Sequence, residues 1–517
     1  MGLARIVGTT QGAAKQSLSE GVAGQLRARR ALLAAVAMVI TVGVVVGVVT
    51  GAFTGLAHQG LYASGLWSRN GPSTLPAQPR TDSPNPTPTP TPTPTASAST
   101  SAPAKSATRR PHPVLAAATS GPVPDREALA ARIAAVRAQG AQGDYSGAVL
   151  DVGSGKTVFR HQARQPRIPA STMKLLTVAA ALSTFGPQHT FTTSVVQPKK
   201  NRIILVGGGD PYLAKSSRAG AYPRRASITD LARATAERLR KDKISRVSLG
   251  YDASLFTGPA WNPAWPSFYG DQVTPVSALW VDEGRVSGGS PGPRVRDPAG
   301  QAAAVFAAAL RKQGVRVTAV RPAKAPRTAA KFASVSSMPL ERVVERVLMV
   351  SDNDAAEVLF RQVAVGAKRK GSSAEAAKAV RAVLTKLGVW VDGTTIVDGS
   401  GLARETEVPA ATMAHLLRLA AQSRNPELRA VITGLPVAGV EGSLRNRYSD
   451  AKSLAGRGFV RGKTGTLRNV RSLAGLVRTR DGSVLVYAFL VNNPTSDFAA
   501  KVWLDGVSVA IATCGCR

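Results

Sequence analysis

Pro169-Ala170-Ser171-Thr172-Met173-Lys174 leads into an apolar run, Leu175, Leu176 and Val178 to Leu182, whose composition predicts a helix. Ser171 and Lys174 stand one helical turn apart and share a face of it, so the two side chains are expected to meet. A serine at the N-terminal end also gains from the helix dipole as its oxygen becomes negative. Two short motifs follow in order along the chain, Ser351-Asp352-Asn353 and Lys463-Thr464-Gly465-Thr466. Each alone is a weak signal in so basic a chain. Their joint occurrence in this order is specific.

The elements around the motifs predict an antiparallel sheet flanked by helices. Ala128 to Ala138 reads as a helix with Leu129, Ile133 and Val136 on one face, and Ser146 to Leu150 and Thr157 to Arg160 read as strands. Gly155-Lys156-Thr157 between them lacks the first glycine of a phosphate-binding loop, because position 150 is Leu150, and reads as a hairpin turn. A helix with apolar face Val343, Val344, Val347 and Leu348 delivers Ser351, with Ser337 expected as its N-cap and Pro339 in its first turn. Val460 to Lys463, Arg471 to Arg478 and Val484 to Asn492 read as strands, turned by Asp481-Gly482, before a closing helix from Phe498 to Ala512.

The long connection from Ser171 to Ser351 carries strand-like segments (Arg202 to Val206, Arg246 to Leu249, Arg316 to Val320) and helices (Ile228 to Arg240, Ala302 to Gln313) of its own. It reads as one inserted, smaller α/β domain over 196–334, dividing the main domain into 125–195 and 335–517. Gly207-Gly208-Gly209-Asp210-Pro211 inside it reads as a tight turn, since Pro211 would stop a nucleotide-binding helix.

Upstream, Arg27, Arg29 and Arg30 precede an uncharged apolar run from Ala31 to Phe53, long enough for a bilayer of roughly 30 Å. Residues 1–30 are expected in the cytoplasm, 31–56 as a transmembrane signal anchor, and everything beyond as extracytoplasmic. Pro-Thr repeats between Pro86 and Thr95 make 57–124 an extended linker without a core. The chain of 517 residues carries 66 Lys and Arg against 31 Asp and Glu, a net +35. These cations are scattered with few aromatics between them, which favours a polyanionic cell wall over nucleic acid as neighbour. Cys514 and Cys516 are a close pair, either a small disulfide or two thiols, with no histidine near enough to suggest a metal site.

A serine hydroxyl is a poor nucleophile until a base takes its proton. Lys174 is the candidate base, provided burial and a neighbouring cation such as Lys463 depress its pKa. Ser351 is placed to relay a proton to a leaving amine, and Asn353 to hold Lys174 and a substrate amide. Lys463, Thr464, Gly465 and Thr466 offer a charge and hydroxyls to a terminal carboxylate, and the backbone N–H groups of Ser171 and Thr466 an oxyanion hole. No histidine–aspartate pair suggests a triad, no metal motif occurs and no cofactor is implied. Such a set of groups acylates itself on an acyl-D-alanine bond or a β-lactam ring.

Residues 125–517 resemble the D-Ala-D-Ala carboxypeptidase/endopeptidase family of low-molecular-mass class C penicillin-binding proteins, peptidase family S13. The resemblance is carried by Pro169 to Lys174, Gly208-Gly209-Asp210-Pro211, Val276-Ser277-Ala278-Leu279 and Ser351-Asp352-Asn353. It continues through Asp398-Gly399-Ser400-Gly401-Leu402-Ala403-Arg404, Leu435-Pro436-Val437-Ala438-Gly439 and Lys463 to Thr466. It implies a serine transpeptidase-like fold interrupted after the nucleophile helix, Arg404 near the substrate, stem peptides of peptidoglycan ending in D-Ala-D-Ala as substrate, and β-lactams as inhibitors. The family nests a third domain within the inserted one; here only Val286 to Pro298 stands at that place. The family also carries an acidic residue and an aromatic before Val276, to hold a diaminopimelate side chain. Ser267 and Gln272 fall near those places, with Asp271 beside them. A class A β-lactamase would share the three motifs but need a Glu-x-x-Leu-Asn loop, and none lies between Ser351 and Lys463. A wall-binding scaffold that kept the fold is the non-enzymatic alternative.

Overall fold

The computed structural model describes residues 121–516 apart from 138–142, 219, 221, 222 and 327. The expected cytoplasmic segment, membrane anchor and nearly all of the linker lie outside the described residues. Among the described residues no helix is long and apolar enough to cross a membrane.

Along the chain, α1 (Arg126–Arg137), β1 (Asp144–Asp151), β2 (Thr157–His161) and β3 (Pro166–Arg167) precede a single 3₁₀ turn, Ala170–Met173, which runs into α2 (Lys174–Phe185). Then come β4 (Thr192–Lys199), β5 (Arg202–Val206), α3 (Ile228–Lys241), β6 (Arg246–Asp252), α4 (Pro298–Lys312), β7 (Arg316–Pro322) and β8 (Lys331–Ser336). The chain continues through α5 (Leu340–Val350), α6 (Asn353–Gly366), α7 (Ser373–Lys386), β9 (Val408–Pro409), α8 (Ala410–Ala421) and α9 (Arg429–Thr433). It closes with β10 (Arg461–Leu467), β11 (Val470–Arg478), β12 (Val484–Asn492) and α10 (Asp497–Ala512).

One antiparallel sheet has the order β10-β11-β12-β1-β2, as the alternation in those segments predicts. α1 and α10 cover one face through Leu129, Ile133, Trp503, Leu504 and Val507. α2 and α8 cover the other, in a core shared with α5, α6 and α7. Every residue of α2 from Lys174 to Leu182 is buried, and a helix apolar on all sides can only sit inside a layered core. The β1–β2 turn is a hairpin: Asp151 Oδ1 accepts from Ser154 N at 2.7 Å and Gly155 takes a left-handed φ of 74°.

Residues 192–336 build a second sheet, β7-β6-β5-β4-β8, in which β5, β6 and β7 run parallel and β4 pairs antiparallel with β5 and β8. Its core joins Val195, Ile203, Leu205 and Leu249 to Leu231 of α3 and Phe306 of α4. Cys514 and Cys516 are joined as a disulfide.

Two local expectations change. Ser337 does not cap α5: Pro339 (φ −53°, ψ 146°) occupies that position without a side-chain bond. Proline drives the residue before it, Met338, out of the helical region, so the helix starts after Pro339 and Ser337 stays outside it. There its hydroxyl accepts from Phe191 N at 2.9 Å and donates to Met338 O at 2.8 Å. The strand expected to end at Lys463 runs on to Leu467, through Gly465. A Cβ on Gly465 would strike Pro169 O and Ser472 Oγ, so this glycine marks a close crossing rather than a strand end.

Phe306 is wholly buried in the second core. Phe306→Ala is therefore expected to lower stability by about 3–5 kcal/mol in urea unfolding. A loss under about 1 kcal/mol would show that this core contributes little.

Candidate active site

Ser171 lies in the 3₁₀ turn just before α2, and Lys174 is the first residue of that helix. The turn is pinned from beneath: Pro169 O accepts from Thr172 Oγ1 at 2.7 Å and from Ser472 Oγ of β11 at 2.6 Å. Lys174 Nζ donates to Asn353 Oδ1 and to Ser400 O, each at 2.7 Å, and lies 2.8 Å from Ser171 Oγ. Both carbonyl oxygens can only accept. A neutral amine has two N–H bonds and one lone pair, so in that state the lone pair faces the Ser171 hydroxyl.

Burial brings the neutral state within reach. Desolvation pulls Lys174 down to about 8, against the opposing pull of Asp398, Asp352, Glu357 and Asp354. Lys463 is also inaccessible to solvent, and burial followed by repulsion from Lys174 holds it well below the ordinary lysine range. Its Nζ donates to Ser351 Oγ and to Thr464 O, each at 2.8 Å.

Ser351 ends α5 in the left-handed region (φ 57°, ψ 44°), a conformation costing a serine about 1–3 kcal/mol. The bend aims its hydroxyl at Lys463 and lets Asp352 cap α6, accepting from Ala355 N at 3.1 Å. Asn353, the first residue of α6, also donates from Nδ2 to Gln272 O at 3.0 Å.

Ser171, Ser351, Asn353, Thr464 and Thr466 line one cleft of about 940 Å³. Arg404 stands on its rim, exposed, and donates to Arg468 O at 3.1 Å. Gly465 lies beneath the floor between the two threonines, while Lys174 and Lys463 reach the cleft only through the two serines. The structure therefore brings Ser171, Lys174, Ser351, Asn353, Lys463 to Thr466 and Arg404 together around one cleft, while Ser267 does not line it. Phe268, Tyr269, Asp271 and Gln272 form the opposite wall.

Two buried acids had no role in the sequence reading. Asp398 accepts from the N–H groups of Gly401, Leu402 and Ala403 at 3.1, 2.9 and 2.8 Å and from Trp265 Nε1 at 2.9 Å. Glu357, one turn into α6 from Asn353, accepts from Gly399 N at 2.9 Å and Ser400 N at 2.7 Å, and burial, then Asp398, pushes its carboxyl up to about 8. Together they fold the 398–403 loop so that Ser400 O reaches Lys174. The visible signal was Gly399 and Gly401. Gly401 (φ 78°) packs on Ala170 O with no room for a side chain.

The model of the D-Ala-D-Ala carboxypeptidase 3 (S13) family matches residues 129–291 and 288–513. A carboxypeptidase of Mycobacterium tuberculosis is 34% identical over 409 residues, covering 76% of this chain and 87% of the relative. The carboxypeptidase DacB of Mycolicibacterium smegmatis is 33% identical over 407 residues, covering 77% and 86%. The crystal structure of penicillin binding protein 4 from Haemophilus influenzae shares the fold, with a TM-score of 0.60 at 21% identity over 72% of this chain and 97% of that one.

With Lys174 as the base, covalent labelling of Ser171 by an acylating probe should rise through an acid limb near pH 8, because the amine is competent only when deprotonated. A limb in the ordinary carboxylate range, about pH 4, would assign the base to another group.

Proposed function

Since the chain belongs to the D-Ala-D-Ala carboxypeptidase 3 (S13) family, we propose that the two serine–lysine pairs divide its chemistry between acylation and proton delivery. The chain is a serine-type D-Ala-D-Ala carboxypeptidase, a hydrolase of the penicillin-binding fold. The single observation carrying the assignment of roles is the contact of Ser171 Oγ with a buried lysine whose other partners are both carbonyl oxygens.

Ser171 Oγ attacks the carbonyl carbon of the penultimate D-alanine while its proton passes to Lys174 Nζ. The carbonyl oxygen becomes an oxyanion, and the N–H groups of Ser171 and Thr466 are the donors we assign to it. As the C–N bond breaks, the leaving amine takes a proton from Ser351 Oγ, and Ser351 recovers it from the Lys174 ammonium, so that Lys174 is neutral again for the second half-reaction while Lys463 Nζ, 2.8 Å from Ser351 Oγ, orients that hydroxyl. The products of this half-reaction are free D-alanine and an ester on Ser171. Water, deprotonated by Lys174, then hydrolyses the ester. The hydroxyls of Thr464 and Thr466, which line the cleft, are suited to the terminal carboxylate. A β-lactam presents the same amide and carboxylate, so it enters as an inhibitor that stays on Ser171.

Asp271 and Arg404, both lining the cleft, offer it a carboxylate and a guanidinium. We assign them to the amine and carboxylate of a diamino-acid side chain on the stem peptide. Asp271, not Ser267, is the acidic-site residue of this reading. The apolar run Ala31 to Phe53 and the Pro-Thr segment after it support a catalytic unit tethered outside the cell membrane.

Purified protein should bind a fluorescent penicillin covalently and release D-alanine from a D-Ala-D-Ala pentapeptide. Ser171→Ala should abolish both, and product analysis on dimeric muropeptides reads whether cross-links are cut as well. Failure of the wild type to label would sink the acyl-enzyme reading. For the tether, the catalytic unit should be digested by protease added to intact cells stripped of their wall, and full protection there would place it inside.

A further inference from the structure

Asp352 and Asp354 flank Asn353, and both side chains are inaccessible to solvent. Each is gripped from the far side by segment 282–296. Arg285 Nη2 donates to Asp352 Oδ2 and to Asp354 Oδ2, both at 3.0 Å, and its Nε reaches Asp354 Oδ2 at 3.1 Å. Arg294 Nη2 donates to Asp354 Oδ2 at 3.2 Å. The remaining oxygen of Asp354 accepts from Thr274 N at 2.7 Å. Arg294 also donates to Gly292 O at 2.8 Å and Ser290 Oγ at 3.0 Å, fastening a short loop whose Ser290 and Pro291 line the cleft.

We propose that Arg285 and Arg294 are positioning residues of the catalytic turn, which fix where Ser351 and Asn353 point and neutralise Asp352 and Asp354 so that their charge does not hold a proton on Lys174. The proposal rests on the acyl-enzyme reading above. Two guanidinium groups face two carboxylates at the centre of the cluster. The third acid, Glu283, lies 3.4 Å from Arg285 and is raised to about 8 by burial and by Asp352, so it adds no charge at neutral pH. The charged groups around Lys174 are Asp398 from the 398–403 loop and Asp352 and Asp354 from the turn; Glu357 of α6, with Arg361 beside it, is raised to about 8 like Glu283 and adds no charge at neutral pH, and burial with repulsion from Lys174 lowers Lys463 of β10. Of these, Asp352 and Asp354 are the two matched by cations from the inserted segment. Removing an arginine leaves excess negative charge, which favours the Lys174 ammonium and moves the acid limb of acylation to higher pH. Removing a carboxylate moves it to lower pH.

The experiment follows covalent labelling by fluorescent penicillin against pH, per active site titrated, in wild type, Arg285→Gln, Arg294→Gln, Asp354→Asn and the Arg285→Gln/Asp354→Asn pair, with melting temperature alongside. Arg285→Gln is expected to shift the limb upward by about half a pH unit or more and to slow acylation at least about tenfold. Asp354→Asn is expected to shift the limb downward, and the pair to restore it towards the wild type even if its melting temperature stays low. A limb unmoved in both single variants, with loss only in the fraction folded, would overturn the proposal. If Arg285→Gln does not fold, Arg294→Gln carries the same expectation. Failure of both to fold overturns it in favour of a purely structural role. Wild-type labelling separates these outcomes from failure of the acyl-enzyme reading, in which no variant and no wild type would label.

Discussion

Lys174 and Lys463 are inaccessible to solvent, and neither makes an ion pair with a carboxylate among the described residues. A buried ammonium without a counter-ion is costly, and the cheapest response is to give up the proton. The surrounding structure serves that condition. Lys174 meets three oxygens from three places: the turn before its own helix, the first residue of α6, and the 398–403 loop. The nearby acids are kept one layer back, where Glu357 Oε1 and both oxygens of Asp398 accept from backbone N–H groups. They shape the cage around the lysine without closing a salt bridge that would disable it.

This arrangement was legible in part. The spacing of Ser171 and Lys174, and the apolar content of α2, depend on local periodicity, and both reappear in the structure with little change. The antiparallel strands near the C-terminus were legible for the same reason. Ser400 as a lysine partner was not, because a backbone carbonyl leaves no mark in the residue type. Only the glycines on either side hinted at a bend. The strand expected to end at Lys463 runs on through Gly465, whose missing side chain lets β10 pass close to Pro169, a crossing that local sequence does not announce. Ser337 misled because its capping chemistry was outweighed by the geometry that Pro339 imposes.

The inserted segment could be recognised as a unit with its own strands and helices, but its part in the site could not. Gln272 offers a carbonyl to Asn353, Thr274 an N–H to Asp354, and Arg285 a guanidinium to both aspartates. All are contacts across many intervening residues, and they make the insertion the back wall of the catalytic turn. In a chain with so many arginines, nothing in composition distinguishes Arg285 or Arg294 from those on the surface. Their burial does.

The main sheet places β1 directly beside β12, with Asp144 opposite Asn492 and Asp151 opposite Leu485. The backbone of Asp125 is likewise bonded to the carbonyl of Cys516 at 3.0 Å. The beginning of the folded chain is thus completed by its end, and β10, which carries the second lysine, arrives late. During synthesis the nucleophile and its base emerge long before the sheet they rest on. Pairing over such sequence distances is slow and cannot start until the last strands exist. The order of translation therefore delays activity: this hydrolase has no working centre until its late strands are in place.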